Sequence, residues 1–209
     1  MLKDIIFDFE TMSTDVSNCT VLDCSVVWFD WGRFTSDEPY TIREYANVER
    51  FKVSVQDQVK NYGYSVDKDV LKFWEEQSPQ VRKKISPKPD DLTVKEFTEK
   101  FLTSLAKNGK INHWWSRSNM FDPPILNKIF RDAGKLPALQ EHLKFWAVRD
   151  TRTYIDAKLD FPRENAFVPI QDQEKWKKVF QKHDSSWDVV ADLLRLQTIT
   201  RAENDLELL

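Results

Sequence analysis

The stretch Lys3-Asp4-Ile5-Ile6-Phe7-Asp8-Phe9-Glu10 carries two carboxylates, two residues apart, at the end of a run of β-forming apolar residues. Alternate side chains of an extended strand leave the same face, so Asp8 and Glu10 share one face while Phe7 and Phe9 occupy the other. A strand this apolar belongs inside a sheet. The like charges at its end are then either solvated or jointly neutralised. Shared divalent cations meet the second condition, since hard carboxylate oxygens suit Mg²⁺ or Mn²⁺. Both readings stand for this pair taken alone.

With 209 residues and 41% hydrophobic content, the chain can bury one substantial core, and a single domain over residues 1–209 is expected. No uncharged apolar run approaches the roughly eighteen residues of a membrane span, and the N-terminus lacks the basic-then-apolar layout of a secretory signal. The expectation is a soluble, cytoplasmic protein with no membrane partner. Cys19 and Cys24 have no second pair or histidine cluster near them, so they read as reduced structural thiols. A formal net charge of −3 excludes coating of duplex DNA by bulk electrostatics. A polyanionic substrate would instead need local cations, and metal ions in an acidic pocket reverse its sign.

Three early segments read as strands: Lys3 to Phe9, Val21 to Trp31 and Arg43 to Val53. Their short connections predict an antiparallel meander. From about Val55 the pattern becomes helical, with helices over Val66 to Glu76 and Ser78 to Ile85. Thr93-Val94-Lys95-Glu96 has capping-box form and opens a helix that Asn108-Gly109 ends. A strand over Lys110 to Trp115 follows, in which Trp114 and Trp115 alternate, so at least one belongs to the core. Asp122-Pro123-Pro124 starts a helix that stops at Gly134. Phe145 to Val148 reads as a last strand, Thr151 to Lys158 as a short helix. After a Pro-containing loop come helices near Gln171 to Gln181 and from Ser185 to Arg201. This order predicts an α/β fold, by analogy a ribonuclease H-like mixed five-stranded sheet flanked by helices.

Two further acidic positions lie at element ends. Asp122, in Asn119-Met120-Phe121-Asp122, falls at a strand-to-helix junction, where it either caps the helix or faces a site. His183-Asp184-Ser185-Ser186-Trp187-Asp188 sets a histidine just before a helix and an aspartate in its first turns. Asp184 or Ser185 can cap that helix and leave Asp188 free to turn inward.

Asp-x-Glu, Asn-x-Phe-Asp and His-x4-Asp, in this order over residues 8 to 188, resemble the three exonuclease motifs of the DEDDh group in the ribonuclease T-like superfamily. The segments Asp4 to Met12, Phe121 to Leu126 and Val148-Arg149-Asp150-Thr151-Arg152-Thr153 look like exonuclease A of tailed bacteriophages and like a group of bacterial 3′–5′ exoribonucleases. The resemblance implies a 3′–5′ exonuclease that releases nucleoside 5′-monophosphates from single-stranded nucleic acid 3′ ends, DNA or RNA, using two divalent metal ions. Asp8, Glu10 and Asp188 would hold one ion, Asp8 with Asp122 the other, and His183 would act as general base. It further implies substrate contacts at Thr11, Met12, Asn119 and Phe121. One departure concerns the final helix: relatives often have small residues two positions before and directly after the last aspartate, where this chain has Ser186 and Val189.

Trp74, in Phe73-Trp74-Glu75-Glu76-Gln77, lies where related exoribonucleases carry a Trp-Trp-x-x-Gln segment whose aromatic stacks on the terminal base. A core tryptophan on an amphipathic helix is the equal alternative. Arg82-Lys83-Lys84 with Lys88, and Lys175, Lys177, Lys178 and Lys182, either guide a phosphate backbone or form solvated helix faces. Arg149 and Arg152 suit an inward ion-pair network or phosphate contact. The competing function is a catalytically inactive nucleic-acid-binding or nuclease-inhibiting module on the same fold. A complete acidic set with His183 argues against it. DNA versus RNA preference and oligomeric state stay open on sequence grounds.

Overall fold

The computed structural model describes residues 3–159, 168, 170 and 173–206. Strands β1 (Lys3–Thr11), β2 (Val21–Phe29), β3 (Glu49–Lys52), β4 (Ile111–Ser116) and β5 (Val148–Asp150) form one sheet in the order β3-β2-β1-β4-β5. The first three make the expected antiparallel meander, and β4 and β5 continue the sheet in parallel with β1. The strand carrying Asp8 and Glu10 is therefore central.

The helices are α1 (Trp31–Phe34), α2 (Val55–Asp57), α3 (Lys68–Glu75), α4 (Pro79–Ile85), α5 (Val94–Asn108), α6 (Asp122–Asp132), α7 (Leu136–His142), α8 (Thr151–Lys158), α9 (Gln173–Val179) and α10 (Ser185–Glu203). They cover both faces of the sheet. Ile5, Phe7 and Phe9 pack on Phe97 and Phe101 of α5, on Ile125, Ile129 and Phe130 of α6 and on Leu139 of α7. Ile6 and Trp115 pack on the opposite face against Val190, Leu193 and Leu194 of α10 and Ile155 of α8. Trp114 and Trp115 are both interior, one on each side: Trp114 stacks on Phe7 at 5.8 Å, and Trp115 meets Trp31 at 5.5 Å. A smaller cluster of Met12, Leu22, Trp74, Val81 and Ile85 seats α3 and α4 beside the end of β1.

The capping box at Thr93 forms with both of its hydrogen bonds. Three expected elements are redrawn. The strand over Val21 to Trp31 ends at Phe29, because the Asp30 side chain accepts from Gly32 N and starts α1. The first half of the strand over Arg43 to Val53 is a 3₁₀ helix, Ile42–Asn47, capped by Thr41 and tied by Glu44 to Asn47 and Arg33. Phe145–Ala147 is likewise a 3₁₀ turn, so β5 begins where the expected strand ends. Gly134, at φ 70°, does end α6, but the chain restarts a helix at once as α7, with Pro137 in its first turn. Of the Pro-containing loop before α9 only Val168 and Ile170 are described, and Gln171 lies outside the described residues. Cys19 and Cys24 are buried free thiols, and burial pushes that of Cys19 up to about 12.

Near the N-terminal end of β1, Asp4 is 1% exposed and accepts from the indole nitrogens of Trp31 (2.6 Å) and Trp115 (2.8 Å) and from the His113 backbone (3.2 Å). Those donors would be orphaned by Asp4→Ala at a cost of about 1–3 kcal/mol each. Chemical denaturation is expected to show a loss of several kcal/mol; a variant as stable as the parent would contradict the anchoring role.

Candidate active site

Even-numbered residues of β1 face α10, which brings Asp8 and Glu10 toward Asp188 in its first turn. Oxygen atoms of these three carboxylates lie within 4.8 Å of one another. Asp122 arrives from the opposite side of the sheet. It does not cap α6: the N-cap is Phe121, which makes no side-chain cap, and Asp122 Oδ1 instead accepts from the Phe9 backbone nitrogen at 3.1 Å. All four acids and His183 line one cavity of about 340 Å³, shared with Phe121, Arg117, Arg152, Lys182 and Arg195.

Electrostatics show what this arrangement costs. Burial, then the charges of Asp122, Glu10 and Asp188, raise Asp8 well above the usual carboxylate range. Burial followed by Asp188 and Asp23 does the same to Glu10. Burial, with the charge of Asp192 adding to it, carries Asp122 and Asp188 up to about 7 each. Carboxylates so placed hold protons or bind cations. Three oxygen donors converging from two rigid elements fit a hard divalent ion such as Mg²⁺ or Mn²⁺.

His183 sits in the turn before α10 with a left-handed backbone, φ 63°, a conformation that costs a non-glycine residue about 1–2 kcal/mol. Its ring meets the edge of Phe73 at 4.8 Å and 85°. Burial and then Lys182 lower its pKa, so the imidazole is neutral at neutral pH. Asp184 is the helix N-cap, accepting from Ser186 N.

The serines explain the departure in the last motif. Ser25 of β2 bonds Ser185 (2.7 Å) and Ser186 (2.9 Å), and Ser185 donates to Asp23 at 2.6 Å. Ser186 is small enough for the close approach of α10 to β2, and its hydroxyl is satisfied there. Val189 is 1% exposed and packs into the core.

Asp192, one turn beyond Asp188, has no counterpart among the motif residues. It is 3% exposed and accepts from Arg117 (2.6 Å), Thr151 Oγ1 (2.7 Å) and Arg195 (2.9 Å). It thus joins the end of β4, the start of α8 and α10 beside the acids. Asp150 caps α8 and accepts from the Asn119 backbone at 2.9 Å, fixing the loop that leads to Asp122.

Of the expected substrate contacts, Phe121 lines the cavity. Thr11, Met12 and Trp74 are interior. The Met12 backbone is engaged by Thr20 and Asp67, and the Trp74 indole donates to Thr11 O at 2.8 Å, so the core reading of Trp74 prevails. The partly exposed aromatic at this rim is its neighbour Phe73. Asn119 is half-buried outside the cavity lining. Arg149 donates to the carbonyls of Trp146 and Val148, which disfavours phosphate contact there, whereas Arg152 reaches the cavity. Arg82, Lys83 and Lys88 are exposed, but Lys84 pairs with Asp184.

Comparison with known proteins gives the family. The model of the Rv2179c-like 3′–5′ exoribonuclease domain matches residues 3–194. An exodeoxyribonuclease of Enterobacteria phage T4 is 28% identical over 98% of this chain and 92% of its own length. Escherichia coli exonuclease I shares the fold: the structure with a dA16 oligonucleotide superimposes with a TM-score of 0.64 at 14% identity, over 98% of this chain and 42% of that one. Its zinc-bound complex with single-stranded DNA gives 0.63 at 12% identity, over 98% and 41%. The chain thus spans about two fifths of exonuclease I. The protein belongs to the Rv2179c-like 3′–5′ exoribonuclease domain family and is a 3′–5′ exonuclease of the DEDD type.

Proposed function

We propose that the enzyme removes nucleoside 5′-monophosphates one at a time from the 3′ end of single-stranded nucleic acid, with DNA as the leading substrate, by a two-metal hydrolysis. The observation that carries this reading is the convergence of Asp8, Glu10 and Asp188 within 4.8 Å, in the cavity that Asp122 and His183 also line. That volume is near the lower end of the roughly 300–1,000 Å³ of small-ligand sites and suits one terminal nucleotide rather than a duplex. The phage relative is an exodeoxyribonuclease and the exonuclease I structures hold DNA oligonucleotides, which favours DNA; the family description, an exoribonuclease, keeps RNA as the second substrate.

In this reading Asp8, Glu10 and Asp188 would hold one Mg²⁺ or Mn²⁺ ion, and Asp8 with Asp122 would hold the second. The ions supply Lewis-acid stabilisation of the charge that develops at phosphorus during in-line displacement. His183 accepts a proton from the attacking water on a ring nitrogen. Its lowered pKa keeps that nitrogen unprotonated at neutral pH. The edge of Phe73 restricts the imidazole's rotation, and Phe121 offers an apolar wall to the terminal nucleotide. A nonhydrolytic module would be expected to have lost at least one of these five groups, and all of them face one cavity.

Three measurements test this. With a 3′-labelled single strand and Mg²⁺, Asp8→Asn and Asp188→Asn are expected to abolish mononucleotide release, while His183→Ala slows it by about 10²-fold or more with metal binding kept. Undiminished activity of Asp8→Asn would refute the assignment.

The second is the pH dependence of stability. Asp122 and Asp188, raised to about 7, bind protons more tightly in the folded chain than in the unfolded one. Their contribution to metal-free stability therefore falls as pH rises from about 4 through 7. Ions need the deprotonated carboxylates, so the rise in thermal midpoint on adding Mn²⁺ should be larger at pH 8 than at pH 5. Equal shifts at both would contradict a carboxylate-held ion.

Third, matched DNA and RNA oligonucleotides degraded side by side should show faster DNA turnover. The reverse order would transfer the assignment to RNA while leaving the site intact.

A further inference from the structure

The left-handed turn at His183 is held from outside its own helix. Asp184, next in the chain and 2% exposed, pairs with Lys84 of α4 and lies 3.7 Å from Arg50 of β3. Arg50 also bonds Asp23 of β2, through Nε at 3.1 Å and through Nη2. Asp23 is fully buried, stands opposite Glu10 in the β1–β2 register, and accepts from Ser185 Oγ at 2.6 Å. On the other flank, Lys84 Nζ donates to the Tyr45 hydroxyl at 3.1 Å, and the Tyr45 ring stacks on Trp187 at 4.2 Å. One guanidinium thus links the strand beside Glu10 to the residue beside His183. Only a planar fork with several donors engages two carboxylates at once in this way.

We propose that Arg50 is a positioning residue for His183: by bridging Asp23 and Asp184 it keeps the turn in the left-handed form that presents the imidazole to the cavity, with Lys84 as the second clamp on Asp184. The proposal rests on His183 being the general base. Without the bridge, the buried charges of Asp23 and Asp184 repel one another, and the turn they flank relaxes. Asp8 and Glu10 stay in place, because β2 and β4 hold β1 independently of Arg50. The expected consequence is a misdirected base beside an intact metal pocket. A residue that merely stabilised the fold would not produce that signature.

The test is a double-mutant cycle on the whole protein, with kcat, KM and the Mn²⁺ concentration for half-activation read on a single-stranded oligonucleotide. Arg50→Met and Lys84→Met should each lower kcat about 10–100-fold, the scale of misplacing a reacting group by about an ångström. KM should be unchanged in both, and Mn²⁺ half-activation unchanged in Lys84→Met; Arg50→Met also alters the charge that Asp23 presents to Glu10. Arg50→Lys, which keeps the charge and loses the fork, should fall near Arg50→Met. In a His183→Ala background neither methionine substitution should cause further loss.

Equal losses in both backgrounds, or a weakened Mn²⁺ response in Lys84→Met, overturn the proposal. A fully active His183→Ala protein instead overturns the base assignment beneath it, so the two failures are told apart. If Arg50→Met does not fold, as can follow from stripping a buried carboxylate of its partner, Lys84→Met decides alone. Its side chain is 30% exposed, and the same outcomes apply.

Discussion

Like charge held close in a buried pocket is the constraint around which this molecule is organised. Asp8, Glu10 and Asp188 converge within 4.8 Å, and burial works against each of them before mutual repulsion is added. Such an arrangement does not survive on flexible elements, because any available motion would relieve it. Here two of the acids sit on the central strand of the sheet and the third on a helix buried on nearly every side. The rigidity of the scaffold and the unfavourable electrostatics of the pocket belong together: the first makes the second tolerable, and the second is relieved if the pocket takes up cations.

The polar groups around the pocket do the aligning. Ser25, Ser185 and Ser186 lock the first turn of α10 to β2, and Asp192 gathers Arg117, Thr151 and Arg195 one turn further on. Asp150 fixes the loop before Asp122. Each of these side chains is buried or half-buried and answers donors from other elements, so the network orients as well as satisfies. Asp192 has its oxygens engaged by three donors, which sets it apart from the neighbouring acids as a support rather than a ligand.

Legibility in the sequence follows the range of the interaction concerned. Alternation in β1 and the Thr93 capping box depend on residues a few positions apart, and both are readable and present. The three motifs locate Asp8, Glu10, Asp122, Asp188 and His183, and all five do line one cavity. Asp192 is not readable, because in sequence it is one acid in an apolar helix, while its partners come from β4 and α8. Nor is the choice between Phe73 and Trp74: adjacent aromatics on an amphipathic helix are equivalent until the Thr11 carbonyl claims one indole. The strand expected from Arg43 fails for a similar reason, since Glu44 turns inward to Arg33, whose proximity only the fold provides.

The pocket is assembled from elements far apart in sequence, with Asp8 and Glu10 from β1 and Asp188 and His183 from the turn and helix that close the other face. A nascent chain that has already formed β1 through β5 still lacks one acid of the converging trio and the imidazole. The acidic trio is therefore complete only once α10 has docked on the sheet.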